Sequence, residues 1–149
     1  DVLQALRAHG MGAGQLQLEI TESLAAQDAA TQARLDEIKL LGVTLALDDF
    51  GTGYSSLSCL HELPIDVVKI DRSFVSLAQT SDYHRVLIEA TVLMARTLGM
   101  GTLAEGIETT EQAAMMRAIG CDKGQGYLFS KPLERDALVQ WIQDRGTGV

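Results

Sequence analysis

Two cysteines and two prolines are all that this chain of 149 residues contains. Cys59 and Cys121 cannot build a disulfide framework, and so thiol-poor a composition suits a reducing, cytoplasmic compartment. Neither cysteine has a base pattern near it, which argues against nucleophilic thiol chemistry. With only Pro64 and Pro132, and no low-complexity tract or charge block, the chain shows no linker. Basic charge is scarce too: 12 Lys and Arg stand against 20 Asp and Glu, for a formal net charge of -8. A protein that grips a nucleic-acid backbone carries a basic patch, so polymeric DNA or RNA is not the expected partner. A small phosphate ligand held through metal ions stays open, because hard divalent cations need carboxylates. Long apolar runs are missing as well. The longest, Leu40 to Leu47, is too short to span a bilayer. No leader opens the chain, which begins at Asp1 and reads as a piece of something longer. The composition that remains, 46% hydrophobic and 21% charged, is that of a soluble globular domain.

What is present is an alternation of short β-rich runs and longer helical runs. Leu16–Thr21, Val43–Leu47, Asp66–Ile70 and Gly101–Ala104 read as strands, with a weak strand at Asp122–Lys123. Helices are expected from about Ala25 to Leu41, at Ser55–Leu63 and at Asp82–Leu98. Leu35, Ile38 and Leu41 share a face of the first, and Gly42 and Gly99 close the first and third. Thr109 with Gln112 has capping-box spacing and starts a helix that runs to Ile119 and Gly120. Leu138, Trp141 and Ile142 mark a last helix. Five β-α repeats imply a parallel sheet covered by helices. A doubly wound open sheet and a (β/α)8 barrel both remain possible at this level.

The carboxyl ends of the strands carry the chemistry. Glu19 and Glu22 follow the first strand, Asp48 and Asp49 the second. Lys69 and Asp71 end the third, Glu105 and Glu108 the fourth, and Gln125 follows the last. In a barrel these ends form one ring, where active sites sit. A ring of carboxylates repels itself unless it is protonated or holds cations. Bound Mg²⁺ or Mn²⁺ resolves the repulsion, and two such ions sharing a carboxylate make a phosphodiester-cleaving site. Adjacent Asp48 and Asp49 on a loop would face different ions, and Lys69 would orient a water or neutralise a phosphate. Plainer readings exist for each residue alone. An Asp at a strand end also suits a helix N-cap, Asp48-Asp49 a turn, Glu22 and Glu108 a helix dipole, and Lys69 a solvated lysine. His9, His61 and His84 lack metal-ligand spacing. Recurrence at successive strands favours the functional reading.

The strings "EITES" (Glu19–Ser23), "DDFGTGYSSL" (Asp48–Leu57), "KIDRSFV" (Lys69–Val75), "AEGIET" (Ala104–Thr109) and "QGYLFSKPL" (Gln125–Leu133) resemble, in order and spacing, the motifs of the EAL domain. That family comprises bacterial phosphodiesterases of cyclic di-GMP. The resemblance implies a TIM-type barrel with one strand reversed, of which this chain is the C-terminal five or so βα units. It implies metal-assisted attack of water that opens cyclic di-GMP to linear pGpG. Glu19 would be a ligand of the first metal, Asp48 the bridging ligand and Asp49 a ligand of the second. Glu105 would be a second-metal ligand or general base, and Lys69 the holder of the attacking water. Glu22 would brace the "DDFGTGYSSL" loop, which in the family also takes part in dimer contacts. Asp71, Glu108 and Gln125 would support metal and substrate.

The Glu-Ala-Leu signature does not occur in this chain, nor does the asparagine motif that follows it in the family; the resemblance places both before Asp1. A barrel needs roughly 250 residues, so residues 1–149 are expected to be a partial EAL domain, inactive alone and inclined to dimerise. Whether a GGDEF domain, a sensor domain or a membrane anchor belongs to the rest of the protein is left open by the sequence. The alternative is a degenerate EAL domain that binds cyclic di-GMP or a protein without cleaving. Intact motif carboxylates favour the enzyme. Some other metal-dependent barrel is a third reading, opposed by the ten-residue loop motif.

Overall fold

Among the described residues, leucine- and β-branched-rich runs form four strands and Lys123–Gly124 a fifth, and each strand lies beside the one before it. The computed structural model describes residues 2–21, 24, 29–51 and 59–145. Helix α1 (Val2–Ala8) and one 3-10 turn (Ala13–Gln15) precede β1 (Gln17–Thr21). Then come α2 (Ala29–Leu40), β2 (Thr44–Phe50), α3 (Cys59–Glu62) and β3 (Val67–Ile70). Helices α4 (Arg72–Leu77) and α5 (Asp82–Thr97) lead to β4 (Gly101–Ala104), α6 (Thr110–Ile119), β5 (Lys123–Gly124) and α7 (Arg135–Arg145). All four strand pairings are parallel, and the sheet order is β1-β2-β3-β4-β5. A doubly wound sheet reverses its strand order at a switch point. Here every crossover steps to the next position in one direction, so the sheet is an arc of a (β/α)8 barrel.

Two faces follow from the register. Leu45, Leu47 and Val68 are fully buried and share an apolar layer with Ile20, Leu35, Phe50 and Leu60. Ile70 and Ala104 continue it toward Ile88, Val92 and Met116. Each such side chain contributes about 1.5–3 kcal/mol relative to exposure. Helix α5 supplies Ile88, Thr91, Val92 and Ala95 to this layer. The opposite, inward face carries Glu19 beside Ala46 and Lys69 beside Leu103.

Strand β2 runs farther than its sequence suggests, to Phe50, so Asp48 and Asp49 stand on a strand and not on a loop. Leu47 pairs with Val68 and Phe50 with Ile70, which leaves Asp48 and Asp49 both opposite Lys69. This is a β-bulge. Asp49 takes the left-handed conformation the bulge needs, at φ 54°, which Asp tolerates better than most residues. The extra residue returns Phe50 to the apolar face of Leu45 and Leu47 and leaves the Asp48 carboxylate on the other side, at Lys69. The weak strand lies at Lys123–Gly124, one residue later than expected. Helices α1 and α4 are additions to the expected set. The capping box is present: the Thr109 hydroxyl accepts from the Gln112 N–H, and Gly120 closes α6 at φ 90°.

Candidate active site

Three carboxylates from three strand ends meet on one buried ammonium. Lys69 Nζ lies 2.8 Å from Glu19 Oε2, 2.8 Å from Asp48 Oδ1 and 2.9 Å from Glu105 Oε1. The Lys69 side chain is 6% exposed, against 46% for Glu19, 25% for Asp48 and 18% for Glu105. The reading of Lys69 as a solvated lysine is therefore excluded. The strand stagger of a barrel makes the meeting possible. Glu19 sits one inward position below Asp48, and Glu105 one above Lys69, so a long side chain from the middle strand reaches all three.

An ammonium has three N–H donors, and these three carboxylates use them all. Burial alone would lower the Lys69 pKa, yet the hydrogen bonds to Asp48, Glu19 and Glu105 outweigh it and raise the pKa above the usual lysine value. Lys69 is fully charged at any physiological pH. One positive charge against three carboxylates still leaves a negative surplus, which hard cations with oxygen ligands would neutralise. Asp49 stands next on the bulge, exposed, its N–H donating to Asp48 Oδ1 at 3.1 Å. Among the described residues no three His, Cys, Asp or Glu side chains form a ready-made metal cage; the carboxylates are gathered on Lys69 instead. The donor chemistry nevertheless fits Mg²⁺ or Mn²⁺, being entirely carboxylate oxygen.

The remaining predicted residues are placed less centrally. Asp71 caps α4: its Oδ1 accepts from Ser73 N–H at 2.9 Å and from the Ser73 hydroxyl. Burial pushes its pKa up, but the Ser73 bonds prevail and lower it. Glu108 is exposed, and its N–H donates to Gln112 Oε1 at 2.8 Å. Gln125 is fixed through its backbone, with its N–H on the Ala104 carbonyl and its own carbonyl on Ile107 N–H. Glu22, and the loop "DDFGTGYSSL" beyond Gly51, lie outside the described residues. Two glycines that sequence reasoning passed over hold the rim of the site. A Cβ at Gly106 would lie 2.4 Å from Arg72 Cβ, and one at Gly126 only 2.1 Å from the Ile107 carbonyl oxygen. Their place inside "AEGIET" and "QGYLF" was the available signal. No helix among the described residues is long and apolar enough to cross a membrane.

The family model for the EAL domain matches residues 1–132. A cyclic di-GMP phosphodiesterase, NbdA of Pseudomonas aeruginosa, is 42% identical over 144 residues, covering 96% of this chain and 18% of that protein. A phosphodiesterase solved in complex with c-di-GMP, PaMucR, superposes with a TM-score of 0.86 at 38% identity, over 92% of this chain and 56% of its own. BlrP1 of Klebsiella pneumoniae, solved with manganese and cyclic di-GMP, gives 0.83 at 32% identity, over 88% and 34%. The chain thus spans only part of the length of the relatives it matches.

Proposed function

The chain belongs to the EAL domain family, and from that premise we propose that residues 1–149 are the C-terminal part of a domain that hydrolyses cyclic di-GMP to linear pGpG with Mg²⁺ or Mn²⁺. The observation that carries this reading is the convergence of Glu19, Asp48 and Glu105 on Lys69 at the carboxyl ends of the strands. Cyclic di-GMP phosphodiesterase activity in NbdA and the cyclic di-GMP complexes of PaMucR and BlrP1 support the substrate class. The manganese in BlrP1 supports the cofactor class.

Glu19, Asp48, Asp49 and Glu105 would hold two divalent cations, with Asp48 between them. Such ions, when bound, lower the pKa of water and stabilise charge on a phosphoryl group. Lys69 does the rest from within. Its N–H groups are engaged on carboxylates, and from that position Lys69 would orient the attacking water. Glu105, 2.9 Å from Lys69 Nζ, would serve either as a ligand of the second cation or as the base that takes the water's proton. Asp71, Glu108 and Gln125 would support the site and the substrate, and Glu22 the loop after Gly51. The missing barrel units, with the Glu-Ala-Leu glutamate, would complete the first cation's ligands, in a cytoplasmic domain that forms a homodimer and acts beside a sensor or GGDEF domain.

The test uses the full-length protein, Mn²⁺ and cyclic di-GMP, with products separated by chromatography. Linear pGpG from the wild type, formed roughly 10²–10³-fold more slowly by Asp48→Asn, is the expected result. Tight binding without cleavage by the wild type would identify a binding module and overturn the enzymatic reading.

A further inference from the structure

Strand β2 leaves the sheet at Gly51, immediately after the bulge at Asp48 and Asp49. Gly51 has φ 101°, and a Cβ there would lie 2.9 Å from Phe74 Cζ and 3.0 Å from Phe74 Cε2. The face of the Phe74 ring, at its Cζ edge, therefore lies against Gly51. Behind it, the ring meets His84 edge to face, with centroids 5.4 Å apart at 63°. Phe50, Ile70, Leu87, Ile88 and Thr91 close the space around the contact and leave a void of about 10 Å³, at the lower limit for one water. Phe74 is only partly buried, whereas its neighbour Val75 on the same helix is fully buried.

We propose that Phe74 is a positioning residue, whose ring fixes Gly51 and with it the aim of Asp48 at Lys69. The connectivity supports this. Lys69 ends β3, Asp71 caps α4 within two residues, and Phe74 follows on that helix. One short unit thus supplies the lysine and also braces the exit of the strand that bears its carboxylate partner. Glycine is conformationally permissive, so without the ring nothing in its own side chain restrains Gly51. A shift of the reacting groups by about 1 Å costs roughly 10²-fold in rate. The contact has a chemical signature. The added Cβ would stand over the face of the ring at its Cζ edge, 2.9 Å from Cζ, 3.0 Å from Cε2 and 3.4 Å from Cε1, so a tyrosine hydroxyl, which extends the ring in its own plane, would leave this contact in place. A methionine would fill the same volume and bend around the backbone.

The kinetic consequence rests on the phosphodiesterase reading; the contact itself does not, and the experiment separates the two. In the full-length protein, kcat and KM for cyclic di-GMP with Mn²⁺, Tm, and the amide NMR signals of Gly51 and Asp49 are measured for Phe74→Ala, Phe74→Met, Phe74→Tyr and Val75→Ala. Phe74→Ala should lower kcat roughly 10²-fold, leave KM near its wild-type value and shift both amides. Phe74→Tyr, which keeps the ring face, and Phe74→Met, which refills the volume, should each keep most of the rate. Val75→Ala should lower Tm more than Phe74→Ala does and keep kcat. A wild-type kcat in Phe74→Ala, or losses of kcat and Tm that run parallel in Phe74→Ala and Val75→Ala, overturns the assignment. If the wild type cleaves nothing, the phosphodiesterase reading falls and the spectra decide. Amide shifts confined to the Phe74 variants then support the positioning contact, and unmoved amides refute it.

Discussion

Just before two strands, Asp66 and Asp122 bind backbone amides of the neighbouring strand; at the opposite rim Glu19, Asp48 and Glu105 are gathered on a side chain. Asp66, one residue before β3, accepts the Leu45 N–H of β2 at 2.8 Å with Oδ2 and pairs with Lys39 through Oδ1. Asp122, one residue before β5, does the same to β4, accepting Thr102 N–H and the Thr102 hydroxyl, each at 2.8 Å. In both cases the carboxylate reaches the residue opposite it on the preceding strand, which pins the register. Parallel strands have no hairpin to set their register, and a slip by one residue would turn Lys69 to the apolar face. The carboxylates at the other rim make no such clamp. Glu19, Asp48 and Glu105 share one ammonium and keep part of their surface in water, so their oxygens can be reassigned to an ion or a water. The same chemical group therefore clamps a neighbouring strand at one end and gathers on a buried ammonium at the other, and the partner decides which.

The comparison is broken most sharply at Lys69. Lys69→Ala should lower kcat of the full-length enzyme roughly 10²–10⁴-fold, and it should also lower Tm in EDTA, because three converging carboxylates lose their cation. If KM rises with kcat unchanged, Lys69 serves only binding. Asp48→Asn comes next. Turnover should fall by roughly 10²–10³-fold, while Tm moves little, since Glu19 and Glu105 still partner Lys69. Wild-type turnover in that variant would remove Asp48 from the site.

At the strand starts the expectation reverses. Asp122→Leu leaves the buried Thr102 N–H without its carboxylate and should cost about 1–3 kcal/mol in chemical denaturation. In the folded fraction kcat should be retained. A loss of kcat without a loss of stability would show that the two rims do not divide their labour as described.

The smallest effects concern pH. Lys69 has its pKa raised in the fold, so its stabilisation is complete below the unfolded value of 10.5 and is lost only as pH rises through the higher folded value. Asp122 has its pKa lowered, chiefly by the hydrogen bond from Thr102, so its contribution is present above 3.8 and lost as pH falls through the folded value beneath that. Urea midpoints measured across pH should fall at the acid end in the wild type and less steeply in Asp122→Asn. An unchanged acid limb in that variant would deny Asp122 its part.

Several features were legible because they depend on neighbours in the chain. Gly101–Ala104 is a strand with the bounds its apolar run suggests. The Thr109–Gln112 spacing formed the capping box, and Gly120 the left-handed cap. Asp71 illustrates the limit. Its position after "KI" fits a site residue and an N-cap equally, and its recorded bonds to Ser73 are those of a cap.

The sequence by itself determined that acidic side chains would stand at successive strand ends, because strand length and alternation are local properties. It also carried the family membership, since the motifs are strings of adjacent residues. The choice between a barrel and an open sheet belonged to the tertiary structure, because the order in which parallel strands pair is invisible in any one βα unit. So did the bulge at Asp48–Asp49, which exists only against Lys69 on the next strand and which keeps Asp48 inward while Phe50 stays outward. The burial of Lys69 was decided there as well. A lysine is driven neither in nor out by its own chemistry, and three carboxylates from residues 19, 48 and 105 had to arrive before its charge could be kept in the fold.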